Sequence, residues 1–362
     1  MRPRAEYLYP LLILLLACGQ EYGRRDANPN FDFTALDLFW EITGQLQKNV
    51  DPDEALWDSL FNTAAYQSLA EVGFSTAEFR GNVTLVFRTD QAELLNQLLK
   101  TGSDGQLRHL VQVRNRQAEL RKHQSWVSSA PVMLEARRAV RLYLPDQIMA
   151  NYPPLPVAFA IFERSLLEGE PMVIDLLYSS EQEQELSYII GHTAHHYYRN
   201  KVLLFDPDAI DPADEDIVWV VNQIHSEGLA DRVDLRVIYF GEGSQSKSPA
   251  AQRYRQNIEA APAIIVEMDR LLIRIAERAD NYQQSGQELR ALLPMDGHAI
   301  GYYMASVIIK AFASGELNTR IGNPFAFFRL YNIAAAMHDI DAPAFSGKAM
   351  AVLVRLEHKY IK

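Results

Sequence analysis

Apolar residues recur at helical spacing over most of the chain. Leu36, Leu38, Phe39, Ile42 and Leu46 fall on one face of a helix that begins near Phe31. Asp51-Pro52-Asp53-Glu54 reads as the start of a second helix, with an N-cap and acids in the first turn. Trp57, Leu60 and Phe61 follow on one face. Residues 89–99 and 105–126 predict further helices, the second a single long element with Leu107, Leu110, Val111, Val113 and Leu120 as its apolar set. The pattern changes in the middle, where residues 153–162 and 171–177 are short apolar and β-branched runs that predict strands. Residues 173–177 are also the candidate edge strand, to which an extended peptide could add. After Glu181 the spacing is helical again to the end, with a helix predicted over 214–238, a loop over 241–249 and a turn over 293–297. No repeat with a period of about 20–50 residues occurs. The layout predicts an α+β fold, mainly α, with a small central sheet.

The first residues follow a different pattern. Arg2 and Arg4 are followed by an apolar run over 8–16 and then Leu15-Leu16-Ala17-Cys18. Basic, apolar and small-residue segments in that order form a secretory signal. The run is shorter than the roughly 20 residues a bilayer span needs. Its end resembles the lipobox of bacterial lipoprotein precursors. That resemblance implies cleavage before Cys18, a diacylglycerol on its sulfur and an acyl chain on the new amine. Residues 1–17 are then a signal peptide and 18–30 a lipidated polar tether. Gly19 stands where an Asp would signal inner-membrane retention, so the resemblance favours the outer membrane of a two-membrane cell. The expected location is the cell envelope, facing away from the cytoplasm.

Cys18 is the only cysteine, so no intrachain disulfide can form. Hydrophobic residues make up 48% of the chain, which excludes general disorder. The net charge of −11 comes without a basic cluster, so nucleic acid is not an expected partner. An acidic body is not drawn to anionic lipid, which leaves the membrane contact to the lipid on Cys18.

The candidate chemistry lies in Gly191-His192-Thr193-Ala194-His195-His196. His192 and His196, four apart, share one helix face and could bind one zinc ion. A carboxylate at Glu227, inside the predicted 214–238 helix, could complete a His₂Glu set with one position open to water. His225 is a further ligand candidate or a supporting partner. Asp231, four residues after Glu227, could hydrogen-bond a liganding histidine or form an ordinary helix ion pair.

The two segments resemble the gluzincin branch of the zincin metallopeptidases, above all bacterial zinc-dependent peptidase families with a His-Glu-x-x-His helix followed about thirty residues later by Glu-Gly-x-Ala-Asp. Gly228, Ala230 and Asp231 match the flanks, and His298, Gly301-Tyr302-Tyr303-Met304-Ala305 and Asn323-Pro324-Phe325 match the later part. The resemblance covers residues 171–335. It implies a zincin-like section over 131–362 preceded by a helical section over 31–130. It also implies zinc held by His192, His196 and Glu227, with His298 and Tyr302 as transition-state donors. Buried aromatic packing is the alternative for that last pair.

One position departs from the pattern. The family's catalytic Glu is Thr193 here. In such peptidases that Glu takes a proton from the attacking water and passes it to the leaving amine, help worth about 10²–10⁴-fold. A threonine hydroxyl cannot hold that proton near neutral pH. The expected function is therefore a membrane-tethered, zinc-binding, metallopeptidase-like pseudoenzyme that binds a peptide or protein in the former active-site cleft. Two alternatives stay open. One is an active zinc-dependent hydrolase with a non-standard base, for which His195 is a candidate. The other is a helical surface scaffold without metal.

Overall fold

The computed structural model describes residues 31–102, 105–163, 165–241, 245–277 and 282–361. The signal, Cys18 and the tether lie outside the described residues. Helices dominate, around a small sheet. Those that matter below are α1 (Thr34–Leu46), α2 (Glu54–Phe61), α3 (Gly105–Asn115), α4 (Gln117–Ser129), α5 (Val132–Val140), α6 (Leu186–Asn200), α7 (Glu215–Val233), α8 (Pro249–Glu277), α9 (His298–Phe312), α10 (Pro324–Ala335) and α11 (Gly347–Tyr360). The sheet contains β1 (Phe31–Asp32), β2 (Val157–Ala160), β3 (Leu166–Leu167) and β4 (Met172–Asp175), in the order β1-β2-β4-β3.

The local signals act as their chemistry requires. Asp53 caps α2, its carboxylate accepting from the Leu56 N–H at 2.9 Å. Asp175 closes β4, and its buried carboxylate accepts from the N–H groups of Phe162 (2.8 Å) and Tyr178 (3.0 Å). His109 Nε2 lies 3.0 Å from the same carboxylate and ties α3 to the sheet.

Two expectations about elements are corrected. Residues 105–126 form two helices, because Arg116 leaves helical geometry (φ −104°, ψ 14°) while its guanidinium is held by Glu119, Glu181 and Ser180. Residues 173–177 do not form an edge strand. β4 pairs with β2 in parallel (Ala158↔Val173) and with β3 antiparallel (Leu166↔Ile174). All four of its residues are buried, the pattern of an interior strand covered on both faces. The edge on that side is β3, whose two residues are half-buried. The Leu176–Glu181 stretch is helical.

Most buried apolar residues form one cluster from Phe31 to Leu356, and Tyr254, Ala299 and Tyr302 form a second, smaller one. The central feature of the larger cluster is the crossing of α7 and α9 at two glycines. A Cβ on Gly301 would lie 1.9 Å from the Ile224 carbonyl oxygen, and one on Gly228 would lie 2.3 Å from the Gly301 carbonyl carbon. The chain enters α9 through a left-handed turn, with φ of 50° at Met295 and Asp296 and 94° at Gly297. Two such non-glycine residues in succession store strain, which this crossing holds in place. Among the described residues, no helix is long and apolar enough to cross a membrane.

Gly301→Ala is expected to lower unfolding stability by about 3 kcal/mol in a denaturant titration, the upper end of overpacking effects. Gly44→Ala in α1, where a Cβ meets nothing within 4 Å, provides the control and should not destabilise.

Candidate metal centre

Three helices bring the site together. Residues 192, 193 and 196 lie in the middle of α6, Glu227 and Asp231 lie in α7, and His298 opens α9. α6 can approach its neighbours closely because residue 191 is glycine: a Cβ there would lie 2.9 Å from Val233 Cγ1. The glycine crossing of α7 and α9 sets Glu227 and Asp231 against His298.

Three ligand-type atoms converge. His192 Nε2 lies 3.1 Å from His196 Nε2, and Glu227 Oε2 lies 3.2 Å from His196 Nε2 and 3.6 Å from His192 Nε2. Zinc bonds of about 2.0–2.1 Å in a tetrahedron separate their ligand atoms by roughly 3.3 Å. The three separations bracket that value, so two imidazoles and a carboxylate fit one tetrahedral divalent ion with a free position. The three side chains keep 13–14% of their surface exposed, so the cluster is reachable by water.

A ring of polar groups orients these atoms. The remaining nitrogen of His196, Nδ1, lies 2.9 Å from the Ser226 hydroxyl. His192 Nδ1 is approached by Asp234 at 3.1 Å, without the alignment of a hydrogen bond, and by Asp231 at 3.8 Å. Asp231 is fully buried. It lies 3.0 Å from His298 Nδ1 through each oxygen and accepts from the Tyr254 hydroxyl at 2.5 Å. His298 Nε2 then faces Glu227 Oε2 at 3.5 Å.

The charges follow from this packing. Burial opposes ionisation of Glu227, but the bonds from His192 and His196 outweigh it and hold the carboxyl well below the usual range. Burial likewise opposes a charge on His192, and Asp234, Glu227 and Asp231 together raise its pKa well above the ordinary value. Burial lowers and Asp231 raises the pKa of His298, with a net increase. Asp231 itself is pushed up by burial, although His298 opposes the shift.

Two hollows flank Thr193. One, of about 230 Å³, is lined by Leu166, Glu168, Ile189, His192, Thr193 and Tyr239 among others. The second, of about 470 Å³, takes in Glu168, Gly169, Thr193, His196, Tyr197 and Lys201. Both lie along α6, and Thr193 and Glu168, which follows β3, line the two of them.

The structure does not bring every expected residue to this cleft. His195 is fully buried, with no hydrogen-bond partner on either nitrogen among the described residues, and it lines neither hollow. It therefore has no path by which to act as a base. His225 lies one helix face away from Glu227, buried against Phe327, and its Nδ1 accepts from Arg199 Nε at 3.3 Å. It touches neither the ligand atoms nor their partners. The ring of Tyr302 packs on Phe240 and Tyr254 beneath the Arg232 guanidinium rather than lining the cleft. Asp231 contacts His298 and Tyr254 more closely than it does His192. Asp234, Ser226 and Tyr254 are the partners that sequence reasoning missed. Asp234 carried a weak signal, being seven residues after Glu227 at the end of α7. Tyr254 on α8 carried none.

His195 and His225 are both held neutral by burial, well below the ordinary histidine range. The unfolded chain therefore binds protons that the folded chain refuses. Their contribution is fully present above about pH 6.5 and is lost as pH falls below it, by about 1.4 kcal/mol per pH unit per proton. In chelator-treated protein, His225→Asn keeps an acceptor for Arg199 and is expected to flatten this acid slope by about one proton. Denaturant unfolding between pH 7.5 and 5.5 measures it.

Among known proteins, a family model described as "Putative zinc dependent peptidase (DUF5700)" matches residues 57–339. Neither the curated proteins nor the solved structures contain a match. The matched span includes α6, α7 and α9 with every residue of the ligand cluster, and the donors gathered there suit the metal that the family's description names. By this match, which spans more than half of the chain, the protein belongs to that family.

Proposed function

We propose that this protein is a membrane-tethered, extracytoplasmic zinc protein that holds an extended peptide in a peptidase cleft and is impaired in cleaving it. The reading rests on one observation above all: His192, His196 and Glu227 converge within 3.1–3.6 Å, and the two histidines line hollows that share Thr193. His192 Nε2, His196 Nε2 and Glu227 Oε2 would hold the zinc, which when bound polarises a carbonyl and acidifies water. Ser226 and Asp234 orient the two imidazoles through their second nitrogens. His298, braced by Asp231, presents Nε2 beside Glu227, where it can donate to a developing oxyanion. β3 has an unpaired side among the described strands, and an extended peptide can add to it by backbone hydrogen bonds.

Thr193 occupies the position at which the resembled families carry a glutamate. Its hydroxyl can orient water but cannot hold a proton at neutral pH, so hydrolysis by the usual route loses about 10²–10⁴-fold. Lipid on Cys18 would place this cleft outside the cytoplasm. The 12 residues from Gly19 to Asn30 reach at most about 40 Å from the membrane surface to β1.

Elemental analysis of purified protein should find about one zinc per chain, lost in His192→Ala, His196→Ala and Glu227→Ala. Zinc that persists in those variants, or is absent from the wild type, overturns the metal assignment. Thr193→Glu should raise cleavage of a fluorogenic peptide, by at most the roughly 10²–10⁴-fold that a base on this helix supplies. Cys18→Ser should move the protein from the membrane to the soluble fraction and abolish labelling by a clickable fatty acid. Unchanged fractionation and labelling would refute the anchor.

A further inference from the structure

A cleft that lacks its helix-borne base can still hydrolyse if another carboxylate reaches the same water. Among the described residues, three carboxylates line the two hollows: Glu168, Glu170 and Asp234. Asp234 is engaged by His192, and Glu170 accepts from Lys201 Nζ at 2.8 Å. Glu168 has no hydrogen-bond or ion-pair partner among the described residues, and it is exposed. It also lines both hollows, and Thr193 is the other residue common to the two. The other ionisable groups do not suit the role. Burial pushes the Tyr178 hydroxyl up to about 12 and raises those of Tyr239 and Tyr197, so none is a base near neutral pH. Lys201 is cationic and paired with Glu170.

The backbone delivers Glu168 to the right place. It follows β3 directly, at the sheet edge that offers hydrogen bonds to an extended peptide. A peptide pairing there lies between that rim and the floor formed by His192, Thr193 and His196.

We infer that Glu168 is the general base of the residual peptidase reaction, taking from the opposite wall of the cleft the task that Thr193 cannot perform. This rests on the zinc-peptidase reading above. The Glu168 carboxylate accepts a proton from the attacking water as the water oxygen bonds to the peptide carbonyl carbon. When the carbon–nitrogen bond breaks, the same proton passes to the leaving amine and Glu168 returns to its carboxylate form. One water is consumed and one peptide bond is cleaved, with no other co-reactant.

The test uses the full zinc-loaded chain, a fluorogenic peptide and a phosphinic dipeptide analogue with leucine side chains. Glu168→Gln should lower the residual kcat about 100-fold while leaving KM and zinc content within about twofold of wild type. In a Thr193→Glu background the same substitution should cost less than about threefold, because the base then stands on α6. Calorimetry in two buffers of different ionisation enthalpy should show one proton taken up when the phosphinate binds the wild type and none for Glu168→Gln. An unchanged kcat, an equal loss in both backgrounds, or proton uptake that survives Glu168→Gln would each overturn the inference. So would a wild type that binds zinc and the analogue but cleaves nothing. Absence of zinc or analogue binding in the wild type is a different result, one that removes the underlying reading.

Discussion

Helices α7 and α9 cross with no side chain between them. At Gly228 and Gly301 each backbone lies where the other's Cβ would be, and a single methyl would collide with a carbonyl oxygen. The contact buries little apolar surface of its own. Its effect is to fix two helices at a separation that no larger residue allows. The placing of His298 against Glu227 and Asp231 depends on that separation. Glu227 immediately precedes one glycine, and Asp231 lies one turn further on. His298 begins the other helix three residues before its glycine. The Asp231–His298 contact at 3.0 Å and the Glu227–His298 approach at 3.5 Å exist because the backbones touch. The left-handed turn at Met295, Asp296 and Gly297 is strain held by the same contact.

The site is a gradient of solvation arranged around this crossing. At the cleft surface, His192, His196 and Glu227 retain a little exposure and point their free atoms at one another. Behind them Asp231 is sealed from water and kept in place by Tyr254 and His298. On the far side of α6 and α7, burial and the nearby Arg199 guanidinium keep His195 and His225 neutral, and Arg199 lies buried with Asn222 and His225 as its partners. Burial lowers that guanidinium to about 10, although Glu227 opposes the shift. Three histidines within five residues thus have two different fates, set by which side of α6 each occupies. The two at i and i+4 share the cleft face, and the one between them is turned into the core.

This division bears on the proposed reading of the site. Family membership rests on a match spanning residues 57–339, and the ligand-type atoms lie at separations suited to zinc. A metal centre and a proton carrier are separable parts of a hydrolase. For the first, α6 and α7 supply three ligand-type side chains close enough to hold one ion. In the proposed reading the second passes from Thr193 on α6 to Glu168 after β3, the two residues that line both hollows. Replacing one carboxylate on a rigid helix by another on a strand end changes the precision of proton transfer more than its possibility, since positioning accounts for much of a base's effect.

The sequence by itself determined whatever depends on local periodicity and spacing. The mainly helical α+β layout was legible in it, as were the Asp53 cap and the pairing of His192 with His196 at one helical turn. So was Glu227 as the distant carboxylate, because an ordered pair of motifs marks it. The missed features share one cause: each depends on which surfaces meet. Residues 173–177 look like any short β-branched run, and only the pairing on both sides makes them an interior strand. Asp234, Tyr254 and Glu168 acquire meaning only when α6, α7, α8 and the β3 rim are brought together. Side chains that act across helices leave no fixed interval in the chain. Their geometry is decided by packing, and here that packing begins with two glycines 73 residues apart in sequence and in contact in space.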